Sequence, residues 1–146
     1  MNAEQYWNEF TDKYPDYKEM KYTAWAFWAE PDELAELVVS GRKTLTCSGL
    51  KLYEADAEPL PEMGEVSIVL NTSEEAVCVI ETTKVYTVAF KDVDETIAYK
   101  EGEGDRTLAY WRQAHLEFFI PEYDTAGLIF NEEEIIVIEE FKKIYS

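Results

Sequence analysis

Apolar positions recur along the chain with two periods. Tyr6, Trp7, Phe10, Tyr14 and Tyr17 fall at steps of three and four, which predicts an aromatic-faced helix within residues 1–20 that docks on the rest of the domain. Pro15 should break or kink it. Residues 21–29, with Tyr22, Trp25, Phe27 and Trp28, read as an extended segment. Pro31 suits a first helical position, Asp32 and Glu33 a first turn, Leu34, Leu37 and Val38 a buried stripe, and Gly41 a stop. Val66, Ile68 and Leu70 alternate with Ser67 and Asn71 as a half-buried strand does. Residues 71–75 form a turn, and residues 76–90 make a β-rich run long enough to bend or bulge.

The second half alternates between the two periods. Asp92 or Asp94 can cap a short helix through Val93, Ile97 and Ala98 that ends near Lys100. Asp105 or Thr107 can cap a longer one whose stripe is Leu108, Trp111, His115 and Phe118 or Phe119, with Pro121 ending it. Residues 124–130 are expected to add a short strand, residues 132–134 a solvated acidic turn, and residues 135–141 a closing strand. Strands with helices between and beside them predict an α+β fold: a small β-barrel with inserted and flanking α-helices. Residues 1–20 form its docked helix and residues 21–146 the domain proper.

Charge narrows the partners. The 146 residues carry a formal charge of −18, which argues against a broad electrostatic grip on nucleic acid or on anionic membranes. The hydrophobic content of 47% suits a packed core, and no apolar run approaches the roughly 20 residues of a membrane span. The N-terminus lacks the basic and apolar regions of a signal peptide. With Cys47 and Cys78 as the only cysteines, reduced thiols and a cytoplasmic location are expected. His115 is the only histidine and the sequence groups no cysteines with it, so neither a zinc site nor any other cofactor is expected.

Two islands interrupt the acidity. Residues 37–53 form the longest stretch without a carboxylate and contain Arg42, Lys43 and Lys51; residues 106–116 form the second, with Arg106 and Arg112. Within the first, Lys43 and Thr46 lie three apart, and a desolvated amine beside a hydroxyl can make a base–nucleophile pair. Glu101 or Glu103, in the Gly-rich run of residues 101–105, could supply an acid. Trp25, Trp28 and Trp111 are large enough to stack on a nucleobase or to fill core. His115 reads as a hydrogen-bonded core residue or as a catalytic one.

Residues 41–46 (Gly-Arg-Lys-Thr-Leu-Thr) behind residues 32–38 (Asp-Glu-Leu-Ala-Glu-Leu-Val) resemble the signature of the ASCH, or activating-signal-cointegrator homology, domains. The Glu-Gly-Glu-Gly-Asp run at 101–105, followed by Leu108, Trp111, Arg112, His115, Phe118 and Phe119, is similar to the longer bacterial branch of that family. Residues 64–70 and 139–141 also fit, so the resemblance spans residues 22–145. It implies a PUA-like β-barrel with nucleic-acid or nucleotide-related ligands. Some small members are amidohydrolases that remove the acetyl group of N4-acetylcytidine with a Lys, a Thr and a Glu. Those roles fall on Lys43, Thr46 and Glu101, with Glu103 competing for the last. Other members act on or bind RNA. This chain departs from the small amidohydrolases in its length, its 101–105 loop and its Trp-Arg-x-x-His helix.

Two functions follow. In the first, Lys43 deprotonates Thr46, Thr46 attacks an acyl carbonyl, and Glu101 protonates the departing amine of a modified nucleoside. Trp28, Tyr53 or Trp111 would stack on the base; Arg42, Ser48, Glu103, Asp105, Arg112 and His115 would complete the substrate cleft. In the second, the two basic islands form one groove for RNA binding or cleavage. DNA and membranes are not expected partners.

Overall fold

The computed structural model describes residues 1–146. Five strands, β1 (Thr23–Ala26), β2 (Leu45–Gly49), β3 (Val66–Leu70), β4 (Ala76–Ala89) and β5 (Ile135–Tyr145), are interleaved with five helices. These are α1 (Ala3–Lys13), α2 (Pro31–Val39), α3 (Leu50–Ala55), α4 (Glu95–Glu101) and α5 (Leu108–Thr125). The strands make one sheet in the order β1-β3-β4-β5-β2, with β1 parallel to β3 and every other pair antiparallel. Register shifts between Val79 and Ile80 and between Thr82 and Lys84 bend the long β4–β5 ribbon. The sheet therefore curls into a half-barrel. Its edges, β1 and β2, do not pair, so the barrel is not closed by hydrogen bonds.

Alternation along the strands sorts three cores. Val66, Ile68 and Val79 meet Tyr6, Trp7 and Phe10 of α1, so the aromatic stripe docks as expected. Val69, Cys78, Ile80 and Phe141 face the other way and pack with Phe27 and with Leu34, Ala35 and Val38 of α2. The third core joins Leu45, Ile136 and Ile138 to α4 and α5 through Ile97, Ala98, Trp111, Phe119 and Tyr123. Asn2 caps α1 in a capping box, Asp94 caps α4 and Thr107 caps α5.

Three local expectations are corrected, and a helix at residues 50–55 was not anticipated. Pro121 does not end α5, which runs on to Thr125. The cost of an interior proline, about 3 kcal/mol, is offset because the extra turn buries Tyr123 completely in the third core. Residues 124–130 hold no strand: Gly127, at φ +77°, closes the helix with Gly127 N–H to the Asp124 carbonyl (2.9 Å) and Leu128 N–H to that of Tyr123 (2.8 Å). Residues 50–55 are helical, because β2 ends at Gly49, which passes so close under Tyr123 that no Cβ fits. In the acidic turn, Glu134 is buried and takes a hydrogen bond from Lys51 at 2.9 Å.

Candidate functional site

The site lies where the barrel fails to close. Gly41, at φ +82°, turns the chain out of α2, and residues 42–44 are strung between three elements. Lys43 N–H donates to the Leu37 carbonyl (3.0 Å), Thr44 N–H to that of Lys100 (2.9 Å), and Phe141 N–H to that of Thr44 (3.0 Å). Arg42 then fastens the loop after α4, donating from Nε to the Gly102 carbonyl and from Nη2 to the Gly104 carbonyl, both at 2.7 Å. Gly102 sits at φ +75°, and a Cβ there would run into the Arg42 carbonyl. The close approach and the positive φ both require glycine.

This backbone frame delivers Lys43 into the interior. Its ammonium pairs with Glu101 Oε2, donates to the Leu45 carbonyl (2.9 Å) and reaches Glu103 Oε2 (3.0 Å); it also lies 5.4 Å from the centre of the Phe27 ring. The side chains of Lys43 and Glu101 are 1% and 3% exposed, and that of Glu103 is 27% exposed. Burial alone would depress the Lys43 pKa, but Glu101 and then Glu103 more than reverse it, so the amine is held as ammonium. Burial likewise opposes ionisation of Glu101. Lys43 and then His115 outweigh burial and hold the carboxyl well below its usual range. Glu103 moves the other way, pushed up by burial and by the Glu101 carboxylate.

His115 closes the cluster. Its Nδ1 lies 2.8 Å from the Trp111 carbonyl and its Nε2 3.0 Å from Glu101 Oε1. A carbonyl only accepts, so Nδ1 carries hydrogen, and a proton must also lie between Nε2 and the carboxylate. Both oxygens of Glu101 are thus engaged. Cys47 comes in from β2, and its sulfur, a Glu101 oxygen and a His115 nitrogen lie within 4.8 Å of one another, a grouping with the donor chemistry of a metal site. The sequence shows no such cluster because the fold brings these residues together from β2, α4 and α5. Burial and then Glu101 push the Cys47 thiol well up, and Lys43 already neutralises the carboxylate, so the set as built is suited to holding protons.

The remaining predicted residues divide. Thr46 leaves β2 on the face opposite Cys47 and stands directly across from Glu139 of β5. Ser48 shares that face. Trp28 is 75% exposed and donates from Nε1 to Glu122 at 3.1 Å. Asp105 is spent on Thr107, whose N–H (2.9 Å) and hydroxyl (2.6 Å) it accepts, and these bonds lower its pKa. Trp111 is buried between the rings of His115 (4.0 Å, 14°) and Phe90 (5.2 Å, 37°), so neither of its faces is free for a base. Arg112 donates to the carbonyls of Lys91 (2.9 Å) and Val93 (3.4 Å).

Arg42, Arg106 and Arg112 all bond to backbone carbonyls and so brace the fold, and the two basic islands meet where Arg106 Nη2 donates to the Arg42 carbonyl at 3.3 Å. A surface depression of about 500 Å³ beside Tyr99 and Arg106 contains none of the predicted site residues. Sequence reasoning gave no site role to Glu139 or Thr82, which meet with Thr82 Oγ1 donating at 2.7 Å. An acid at a position where β5 alternates towards the interior was the available signal.

The comparisons agree with this architecture. The ASCH domain profile matches residues 23–145. No curated protein sequence matches the chain. An ASCH domain from Lactobacillus crispatus JV V101 is 33% identical with a TM-score of 0.87, the match covering 98% of this chain and 91% of that one. A protein from Enterococcus faecalis V583 is 34% identical with a TM-score of 0.89, over 99% and 88% of the two chains. An ASCH protein from Zymomonas mobilis, at 14% identity and a TM-score of 0.50 over 84% and 70%, shares the fold. With its half-barrel, its braced Gly-x-Lys-Thr-x-Thr segment and a profile match over most of its length, the chain belongs to the ASCH domain family, of PUA-like fold.

Proposed function

We propose that the protein is a nucleoside-directed amidohydrolase acting on N4-acylated, cytidine-like substrates. The observation that carries this reading is the buried Lys43, held against two carboxylates of unlike character at the base of the strand that presents Thr46. A groove for long RNA does not need such a cluster, and the arginines it would use are occupied by backbone carbonyls.

The resting pair is an ammonium beside Glu103. Substrate binding excludes water, and in a dry site the neutral pair is favoured, so one Lys43 proton passes to Glu103. The free amine takes the proton of Thr46 as its oxygen bonds to the acyl carbon. Glu103 protonates the departing amine as the C–N bond breaks, leaving an acyl ester on Thr46. Water, giving a proton to Glu103, cleaves that ester, and the regenerated Lys43 ammonium returns its proton to the Thr46 oxygen. The Glu103 proton then restores the ammonium. Glu101 positions Lys43 throughout, its own oxygens being held by Lys43 and His115. Cytidine release from a panel of N4-acylcytidines, lost in both Lys43→Ala and Thr46→Ala, is the expected result. No turnover of any member by a folded wild-type protein would overturn the reading.

RNA binding is the second reading, and the exposed Trp28 ring favours it, since a free indole is a stacking platform for an unpaired base. It predicts binding of single-stranded RNA that Trp28→Ala weakens.

A further inference from the structure

Cys47 leaves β2 on the side of Glu101 and His115, and Lys43 reaches Glu101 from just before the strand. The other side of β2 carries a second polar group, of which the hydrolytic steps use only Thr46. Thr46 and Glu139 are directly paired in register, Ser48 follows on β2, and Thr82 enters from β4. Burial and then the charges of Glu139, Glu58 and Glu65 raise the Tyr53 pKa, which puts Tyr53 of α3 beside this group.

Glu139 is the anomaly. It is 9% exposed, yet its only hydrogen bond is from Thr82 to Oε2, and no cation lies within ion-pair distance. Oε1 accepts nothing from the protein, and it is not among the polar atoms sealed away without a partner. A carboxylate that is nine-tenths buried, with one oxygen paired and the other open, has the geometry of a group awaiting a ligand donor. Burial and then Glu65 push its pKa up, while the Thr82 bond opposes them. Phe141, two residues on and on the same face, packs with Phe27, whose ring lies 5.4 Å from the Lys43 ammonium, so one aromatic contact links the two polar groups.

We propose that Glu139, with the hydroxyls of Thr46, Ser48 and Tyr53 around it, forms a recognition subsite whose open oxygen accepts an N–H from the edge of a nucleobase. This rests on the nucleoside reading above but not on hydrolysis. The subsite would distinguish ligands by whether their heterocycle presents an N–H donor, and Thr46 would lie between the recognised edge and the Lys43 cluster.

The test compares the binding of cytidine with N4,N4-dimethylcytidine, and of uridine with 3-methyluridine, by NMR shift titration of the wild type, Glu139→Met and Glu139→Gln. Capping the N–H should weaken wild-type binding about tenfold or more, the loss of one charge-assisted hydrogen bond. Glu139→Met should bind each capped and uncapped pair alike. Glu139→Gln, which keeps a partner for Thr82, controls for folding and should narrow the gap. An equal capping penalty in all three proteins, or none in the wild type, overturns the subsite. The fragment 2-aminopyrimidine separates this from the parent reading. If no nucleoside binds but the fragment still shifts residues 46, 82 and 139 in the wild type and not in Glu139→Met, the subsite stands and the nucleoside reading falls. If neither binds, the subsite falls too.

Discussion

Lys43 and Glu101 form an ion pair that is almost wholly buried and lies 58 residues apart in the chain. Each charge is acceptable in the interior only because of the other. Removing one partner should therefore cost about 3–5 kcal/mol, whereas replacing both with apolar side chains should cost far less. Lys43→Met and Glu101→Met are each expected to be strongly destabilised in urea denaturation. The double variant should recover most of the loss while remaining inactive. Additive losses would show that the pair does not act as a unit.

The same pair sets the pH range of stability. Glu101 is depressed in the folded state, so its contribution is present above the unfolded value of about 4.3 and is lost as pH falls through the folded one. Lys43 is raised, so its contribution is complete below about 10.4 and is lost as pH climbs through the folded value. The wild type should show a stability plateau with an acidic and an alkaline flank. Denaturation midpoints measured from pH 3 to pH 11 should show both flanks flattened in the Lys43→Met/Glu101→Met variant.

Much of this site was open to sequence reading, for reasons that differ residue by residue. Gly41, Lys43 and Thr46 belong to one local motif, and Asp94 and Thr107 are caps whose side chains bond within three residues. Pairing Lys43 with Glu101 needed the family resemblance, because no local rule links residues that far apart. The Cys47, Glu101 and His115 cluster was beyond reach, since three separate elements converge to build it. Pro121 misled because its local preference was outweighed by the burial of Tyr123, a tertiary effect. For Arg42 and Arg112 the sequence gives a charge and not the backbone carbonyls to which the fold binds it.

Gly102 and Gly41 offer a matched pair for separating strain from collision. Both have positive φ, but a Cβ at Gly41 meets nothing within 4 Å, whereas at Gly102 it strikes the Arg42 backbone. Gly41→Ala should cost about 1 kcal/mol and Gly102→Ala about 2–3 kcal/mol or more. Only Gly102→Ala should also displace the Arg42 and Lys43 amide resonances in a ¹H–¹⁵N spectrum. Equal costs would mean that the loop yields freely.

Arg112 separates a bracing arginine from an RNA-binding one. A phosphate contact contributes about one unit to the slope of log K against log salt. Because its guanidinium is held on the Lys91 and Val93 carbonyls, Arg112→Ala should lower thermal stability and leave the salt slope of any RNA binding unchanged. A slope reduced by about one, with stability intact, would place Arg112 on the nucleic acid.

Glu139 gives the last prediction, in which an acid retained for a ligand weakens the empty fold. Its folded-state pKa is raised, so its favourable contribution is complete only below the unfolded value and is lost as pH rises through the folded one. Above that folded-state value the ionised form is a buried charge with one hydrogen bond. Glu139→Gln removes that charge and keeps a partner for Thr82, so it should raise the melting temperature at pH 7, at about 2–4 °C per kcal/mol regained. The gain should shrink towards zero at pH 4, where the wild-type carboxyl is itself neutral. Calorimetry at the two pH values decides it. A variant less stable than wild type at pH 7 would mean that the carboxylate already has a partner that stabilises it.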